Sequence, residues 1–420
     1  MVKRKKNEIR FFMFFVILFS GLLFIRYWDE EINRMNATMF AFSYEYGFIS
    51  RGLIGTIYQF FDKILPFDMM TYTWLIRFTF AATVAYCLLL FIFVYVCQKK
   101  CSDGTREFMR YLAIFLLIFA VPMFVGEYNF GRSDMYCVML TLMSAMLLVC
   151  EKAQWMVIPL SALGVMVHQG YVFMFVNVVL VLLLYRGLGA EGKERRKYLL
   201  IFLLTFLVVS ALFLWFELFS HVNGEEIYGS IVAKAEAICK DGWYHRDVID
   251  KEILGIDLSD REIIWHKYNV LQFPLFCLMM LPYIWFAVKL WKRLIGRAVT
   301  KTDKWKYLLV AIGAGTMLPE LLLKVDYGRW MFSIIFYYVV IVMALVASKD
   351  KLVAEELGGM IAEVRARCPF AIVFLVYPIV FQPLGDVSIC YITETIANVF
   401  NYSFLHWWKL EDTIMALILI

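Results

Sequence analysis

Three arginines in this chain stand beside a glycine, with a carboxylate a few residues away and aromatic rings around them. The segments read Glu45 to Arg51-Gly52, Gly131-Arg132-Ser133-Asp134 and Asp326-Tyr327-Gly328-Arg329. A guanidinium is a planar fork that holds its charge at every working pH and grips a phosphate through two parallel hydrogen bonds. Tyr44, Tyr46, Tyr128, Tyr327 and Trp330 offer flat faces for sugar rings or prenyl groups. His168, Glu45 and Asp134 are the candidate catalytic groups, because an imidazole or a carboxylate can take a proton from an attacking hydroxyl. Arg51, Arg132, Gln169, Asp326, Arg329, Tyr128, Tyr327 and Trp330 are the candidate substrate-binding residues. The set suits an anionic, lipid-linked saccharide. Plainer roles compete: Arg132 paired with Glu127 or Asp134 at a helix start, Arg329 paired with Asp326 across a turn, Glu45 and Arg51 anchoring a surface helix, and His168 bonded to a backbone carbonyl.

The chain holds no GxxxxGK[ST] loop and no GxGxxG after a strand, so no nucleotide-driven step is expected and no cofactor is implied. The loop histidines His221, His245 and His266 lack metal-ligand spacing. Group transfer therefore calls for a donor activated elsewhere, and a polyprenyl-diphosphate sugar or oligosaccharide meets that need.

What must position these residues is a membrane protein. Of the 420 residues 62% are hydrophobic and 18% charged, and the mean hydropathy is +0.71. A soluble domain carries about 45–50% apolar residues. That balance excludes an ordinary soluble enzyme, a disordered chain and a nucleic-acid-binding domain. The apolar residues come in blocks near the roughly 20 residues that a bilayer span needs. Spans are expected at 11–27, 73–97, 109–125, 134–150, 155–167, 171–185, 198–219, 268–290, 307–323, 330–347 and 369–384, with 404–420 interrupted by Lys409, Glu411 and Asp412. The expected class is an all-α, polytopic integral membrane protein of about 11 transmembrane helices. It is read as one domain, residues 1–420, with outer loops at 28–72 and 220–267.

Most of the 41 Lys and Arg residues fall in alternate connections, at 1–10, 98–110, 151–154, 186–197, 289–306 and 349–367. The positive-inside rule then puts these segments and the N-terminus in the cytoplasm. Arg26, Tyr27 and Trp28 follow the first apolar block where a signal peptide would have small residues. The four clusters at 44–52, 126–134, 168–169 and 320–330 all map to the outer half. The nine cysteines are scattered, and Cys239 with Cys390 is the one pair in outer loops that a disulfide could join.

Two local features sharpen this layout. Both flanks of 155–185 carry inner-side charges, Glu151-Lys152 and then Arg186 to Lys197, yet two full spans need about 40 residues. The expectation is a hairpin of two short helices whose tip, His168-Gln169-Gly170, stays within the outer half of the membrane. Residues 53–64 read as an amphipathic helix lying on the membrane surface.

The stretch 132–186, RSDMYCVMLTLMSAMLLVCEKAQWMVIPLSALGVMVHQGYVFMFVNVVLVLLLYR, resembles bacterial surface-polysaccharide polymerases of the EpsG-like and O-antigen-polymerase (Wzy) type. Its marks are an Arg-led polar start, a full span, a short charged turn and a short helix closed by a His before another short helix. Arg329-Trp330-Met331-Phe332, opening a late span, resembles the same polymerases, and the acidic first loop with paired short helices resembles GT-C glycosyltransferases. The chain departs from the pattern in having Gly170 where a hydroxyl residue usually follows the His. Its long outer loop also sits mid-chain.

The resemblance implies a membrane-embedded glycosyltransferase or polymerase with a GT-C-like fold, in the plasma membrane. Its partners would be a polyprenyl-diphosphate-linked saccharide, membrane lipid and other polysaccharide-assembly proteins. The rival readings are a transporter or flippase of a lipid-linked or anionic substrate, and an acyltransferase.

Overall fold

The computed structural model describes residues 32–101, 103–124, 129–220, 224–255, 274, 277–278, 280–319, 327–370 and 372–380. Every regular element among them is helical. The expected spans at 11–27 and 404–420, most of 268–280, and Cys390 lie outside the described residues.

In chain order the helices are α1 Arg34–Met39, α2 Gly52–Ile64, α3 Tyr72–Gln98, α4 Asp103–Phe124, α5 Asp134–Cys150, α6 Val157–Val167, α7 Tyr171–Met174 and α8 Val176–Gly189. Then follow α9 Gly192–Phe219, α10 Gly224–Ile238, α11 Arg246–Leu254, α12 Leu281–Arg297, α13 Lys301–Ile312, α14 Tyr327–Ala347, α15 Lys351–Arg367 and α16 Tyr377–Val380. Three of these are long and apolar enough to cross a membrane: α3, α9 and, from Gly328, α14. The segments Asp134–Cys150, Gln154–Val167 and Val176–Gly189 are shorter and equally apolar.

Burial separates a central helix from a peripheral one. In α14, 83% of the apolar window is buried, against 22% in α9. Helix α14 packs on α3, α4, α5 and α8. Helix α9 leans on α6 and α8 and leaves Leu203, Phe206, Leu214 and Leu218 exposed, the surface a membrane protein presents to lipid. Several buried hydroxyls are met inside their own helices. Thr83 donates to the carbonyl of Thr79, Thr141 to that of Cys137, Thr205 to that of Ile201 and Ser333 to that of Arg329. An apolar surrounding demands this, since an unmet polar group there costs several kcal/mol.

The structure redraws several expected boundaries. The span expected at 171–185 is broken at Phe175 (φ −129°), giving the short α7 and then α8. The expected span at 307–323 begins as α13 at Lys301 and passes into a 3₁₀ turn at Gly313–Met317, where two glycines weaken the α conformation. Asn177 fastens that turn by donating to Thr316 Oγ1 at 3.0 Å. The basic run Lys193 to Lys197 forms the first turns of α9, not a linker. The expected surface helix at 53–64 is present as α2. It buries Ile54 and Tyr58 and leaves Ile57, Phe60 and Ile64 exposed, so its outward face is apolar too.

The segment expected as an outer loop at 220–267 contains helices α10 and α11. They bury Ile231, Ala235, Ile249 and Ile253 and pack on α1. At the opposite end of α5 and α14, Asp350 caps α15 by accepting from the backbone N–H groups of Leu352 and Val353. The same carboxylate takes hydrogen bonds from Tyr185 (2.5 Å), Tyr307 (2.8 Å) and Lys306 (3.1 Å). A 330 Å³ pocket opens over it, bordered by Glu151, Arg186, Glu194 and Lys306.

Candidate functional site

The hairpin tip is held by a glycine and a tyrosine. The Tyr171 ring covers Gly164, where a Cβ would lie 2.6 Å from the ring, and the Tyr171 hydroxyl lies 3.5 Å from Thr141 Oγ1 of α5. Only a residue without a side chain at 164 lets α6 and α7 close this tightly. Closure places His168 at the C-cap of α6 in extended backbone, 8% exposed.

Asp134 opens α5, where the helix dipole favours a carboxylate. Arg329 lies in the first turn of α14, where the same dipole disfavours a cation. The conflict is resolved between helices. Arg329 Nε lies 3.1 Å from Asp134 Oδ2, and its Nη2 donates to Oδ1 at 3.2 Å, a two-point pair. Arg329 Nη2 is also 3.3 Å from His168 Nε2. Three residues separated by 34 to 195 positions in sequence thus meet, Arg51 and Arg132 are within electrostatic range of His168, and Arg132 is within range of Asp134.

Arg51 is fixed by a residue that the sequence did not single out. It precedes α2 in the left-handed region (φ 56°), a conformation that costs a non-glycine residue about 1–2 kcal/mol. Glu252 of α11, 5% exposed, holds Arg51 Nη2 at 3.1 Å and accepts from Ser50 Oγ at 3.0 Å. A cavity of about 10 Å³, the space of a single water, lies between Arg51, Gly131, Tyr136 and Val167. The Tyr136 hydroxyl and Arg51 Nε beside it are buried and have no hydrogen-bond partner among the described residues. A signal for Glu252 existed. Val248, Ile249 and Ile253 form a buried helical stripe, and position 252 falls on it.

Other expected members stand elsewhere. Glu45 is exposed and paired with Lys234 of α10 at 2.8 Å, and that hydrogen bond holds its carboxyl below the usual range. Lys234 also lies over the Tyr46 ring at 4.7 Å, so Glu45 and Tyr46 join the segment before α2 to α10 and stand apart from the Asp134–His168–Arg329 cluster. Tyr44 reaches the hairpin, its hydroxyl donating to the carbonyl of Met166 at 3.4 Å. Gln169 is half-buried and its carbonyl accepts from Val172. Trp330 is buried, with Arg329 5.9 Å from its ring.

Arg132 is buried among these groups. Tyr327 begins α14, but its side chain, like Tyr128, Asp326, Glu127, Glu320 and the Asp29-Glu30-Glu31 triplet, lies outside the described residues. Among the described residues the His168 imidazole donates to no backbone carbonyl, the plainer role expected for it; its Nδ1 accepts from the N–H of Gly170 at 2.8 Å.

The arrangement offers arginines for an anion, an imidazole edge beside them and a carboxylate that holds one arginine in place. No protein-family model, curated protein or solved structure matches this chain, so its chemistry is argued from these residues.

Proposed function

We propose that this chain is a membrane-embedded glycosyltransferase, and more narrowly a polymerase, acting on polyprenyl-diphosphate-linked glycans at the outer face of a bacterial plasma membrane. The reading includes about 11 spans and a cytoplasmic N-terminus. The observation that carries it is the convergence of Arg329, Asp134 and His168, with Arg51 and Arg132 in range, at one end of apolar helices. Buried ionisable groups in such helices are costly and are functional by default.

In the transfer, the acceptor hydroxyl oxygen bonds the anomeric carbon as that carbon's bond to the diphosphate oxygen breaks. The electron pair leaves on the polyprenyl diphosphate, and the acceptor's proton passes to the departing phosphate or to water. Arginines that grip the diphosphate stabilise the charge that grows on it.

The test is surface glycan extracted from a deletion strain and sized on a gel, beside strains carrying Arg132→Ala and His168→Ala. Single repeat units in place of long chains in all three support the polymerase. Repeat units trapped on the inner leaflet would mark a flippase, and unchanged glycan would sink the reading.

A further inference from the structure

A neutral imidazole has one donor nitrogen and one acceptor nitrogen. In His168 the choice between them is made by the backbone. The Gly170 N–H donates to Nδ1 at 2.8 Å, so Nδ1 carries the lone pair and the proton sits on Nε2. Protonating Nδ1 as well would set its new N–H against the Gly170 N–H, so the cationic form is disfavoured in this geometry.

Nε2 in turn lies 3.3 Å from Arg329 Nη2, which can only donate. Two N–H groups cannot bond one another. Among the described residues no acceptor oxygen is within hydrogen-bond reach of His168 Nε2, although the residue is only 8% exposed. A buried donor of this kind is costly unless an acceptor meets it. An oxygen beside Nε2 would satisfy it. The nearby charges of Arg51 and Arg132 favour one that is anionic.

We infer that His168 is a fixed hydrogen-bond donor to a phosphate oxygen of the substrate, and that Gly170 is the positioning residue that holds it so. The inference rests on the transferase reading for the diphosphate. It differs from that reading's simplest form because it removes His168 as the base: one nitrogen is capped by Gly170 and the other already bears the proton. Glycine is needed at 170 because a Cβ there would stand 2.8 Å from both Cε1 and Nδ1 of the ring. Any side chain pushes the imidazole off the amide. The backbone itself (φ −56°) accepts alanine, so Gly170→Ala disturbs the ring and not the turn.

The experiment measures binding of farnesyl diphosphate, farnesol and inorganic pyrophosphate to the purified full-length protein in detergent, by calorimetry. The variants are His168→Gln, His168→Phe and Gly170→Ala, with melting temperature as the check on folding. Gln places an amide N–H where Nε2–H was but cannot serve as a base.

The expected result is farnesyl diphosphate affinity within about three-fold of wild type for His168→Gln. For His168→Phe it falls about ten- to a hundred-fold, the worth of a hydrogen bond to a charged group. Gly170→Ala falls in between, and farnesol binding is unmoved by any of them. If pyrophosphate follows the same order with equal affinity, the phosphate alone is the ligand; if it binds more weakly, the prenylated headgroup is. Equal loss in His168→Gln and His168→Phe, or no loss in His168→Phe, overturns the donor assignment. Should this order hold while surface glycan stays normal in the deletion strain, the donor stands and the transferase reading falls.

Discussion

Asp134 and Asp350 are carboxylates held at opposite ends of the same two helices, α5 and α14, and each is bound to a cation. Asp350 is saturated. Two tyrosine hydroxyls, one ammonium and two backbone N–H groups converge on it. Asp134 is engaged by Arg329, with Arg132 in electrostatic range of the carboxylate and His168 Nε2 beside Arg329 Nη2. The same electrostatics gives a clamp where acceptors and donors balance around Asp350, and in our proposal a receptor for an anion where His168 Nε2–H lacks an acceptor. Burial and an ion pair therefore do not identify a site; the pattern of donors and acceptors does.

The sharpest way to break this contrast is to replace each pair by apolar residues. Arg329→Ala leaves a buried Asp134 and should cost about 3–5 kcal/mol, seen as a lowered melting temperature in detergent. The double variant Arg329→Met with Asp134→Leu should regain most of that stability and still make no long glycan chains. Recovery of polymer in the double variant would reduce the Arg329–Asp134 pair to a structural one.

Next in size is Asp350→Ala. It removes a helix cap, worth about 1 kcal/mol, and strands the Tyr185 and Tyr307 hydroxyls at about 1–3 kcal/mol each. The melting temperature should fall while the chain-length distribution of surviving protein is unchanged. A shortened glycan would show that the Asp350 clamp also serves the site.

Arg51→Gly sets backbone strain against the loss of an ion pair. Glycine relieves the left-handed backbone by about 1 kcal/mol, but the buried Glu252 left without its cation costs about 3–5 kcal/mol, so the single variant should melt lower and the double variant with Glu252→Gln should recover most of the loss. Polymer formation should nonetheless drop, and Glu252→Gln should lower it by a smaller factor. Normal glycan in Arg51→Gly would remove this arginine from the site.

The smallest expected effect is in pH. Burial raises the Asp350 carboxyl, but hydrogen bonds from Tyr185 and Tyr307 and the Lys306 ammonium outweigh it, and the net shift is downward from 3.8. A carboxyl lowered in the folded state stabilises fully above its unfolded value and loses that contribution as pH falls through the folded one. Melting temperature should therefore drop below about pH 4, and Asp350→Asn should flatten that limb. An unchanged acid limb in the variant would place the sensitivity in other carboxylates.

How much of this was legible beforehand varies with the distance over which each feature is made. The hairpin was readable because charge on both flanks and a short apolar length leave one economical path. The amphipathic α2 was readable from its periodicity. The break at Phe175 and the 3₁₀ turn at Gly313–Met317 were not, because packing between α7, α8 and that turn sets them. Asp134, His168 and Arg329 were named from residue type, yet their partners were assigned locally, and the ion pair that formed joins positions 134 and 329.

The sequence by itself determined that this chain is helical and apolar, and where buried ionisable residues sit along its helices. Those properties follow from composition and local periodicity, which each segment carries alone. Tertiary structure decided which arginine holds which carboxylate, that Glu45 leaves the cluster for Lys234, and that Glu252 joins Arg51. Those choices depend on a few tenths of a nanometre between distant segments. Such distances are set by how closely small residues such as Gly164 let the helices approach.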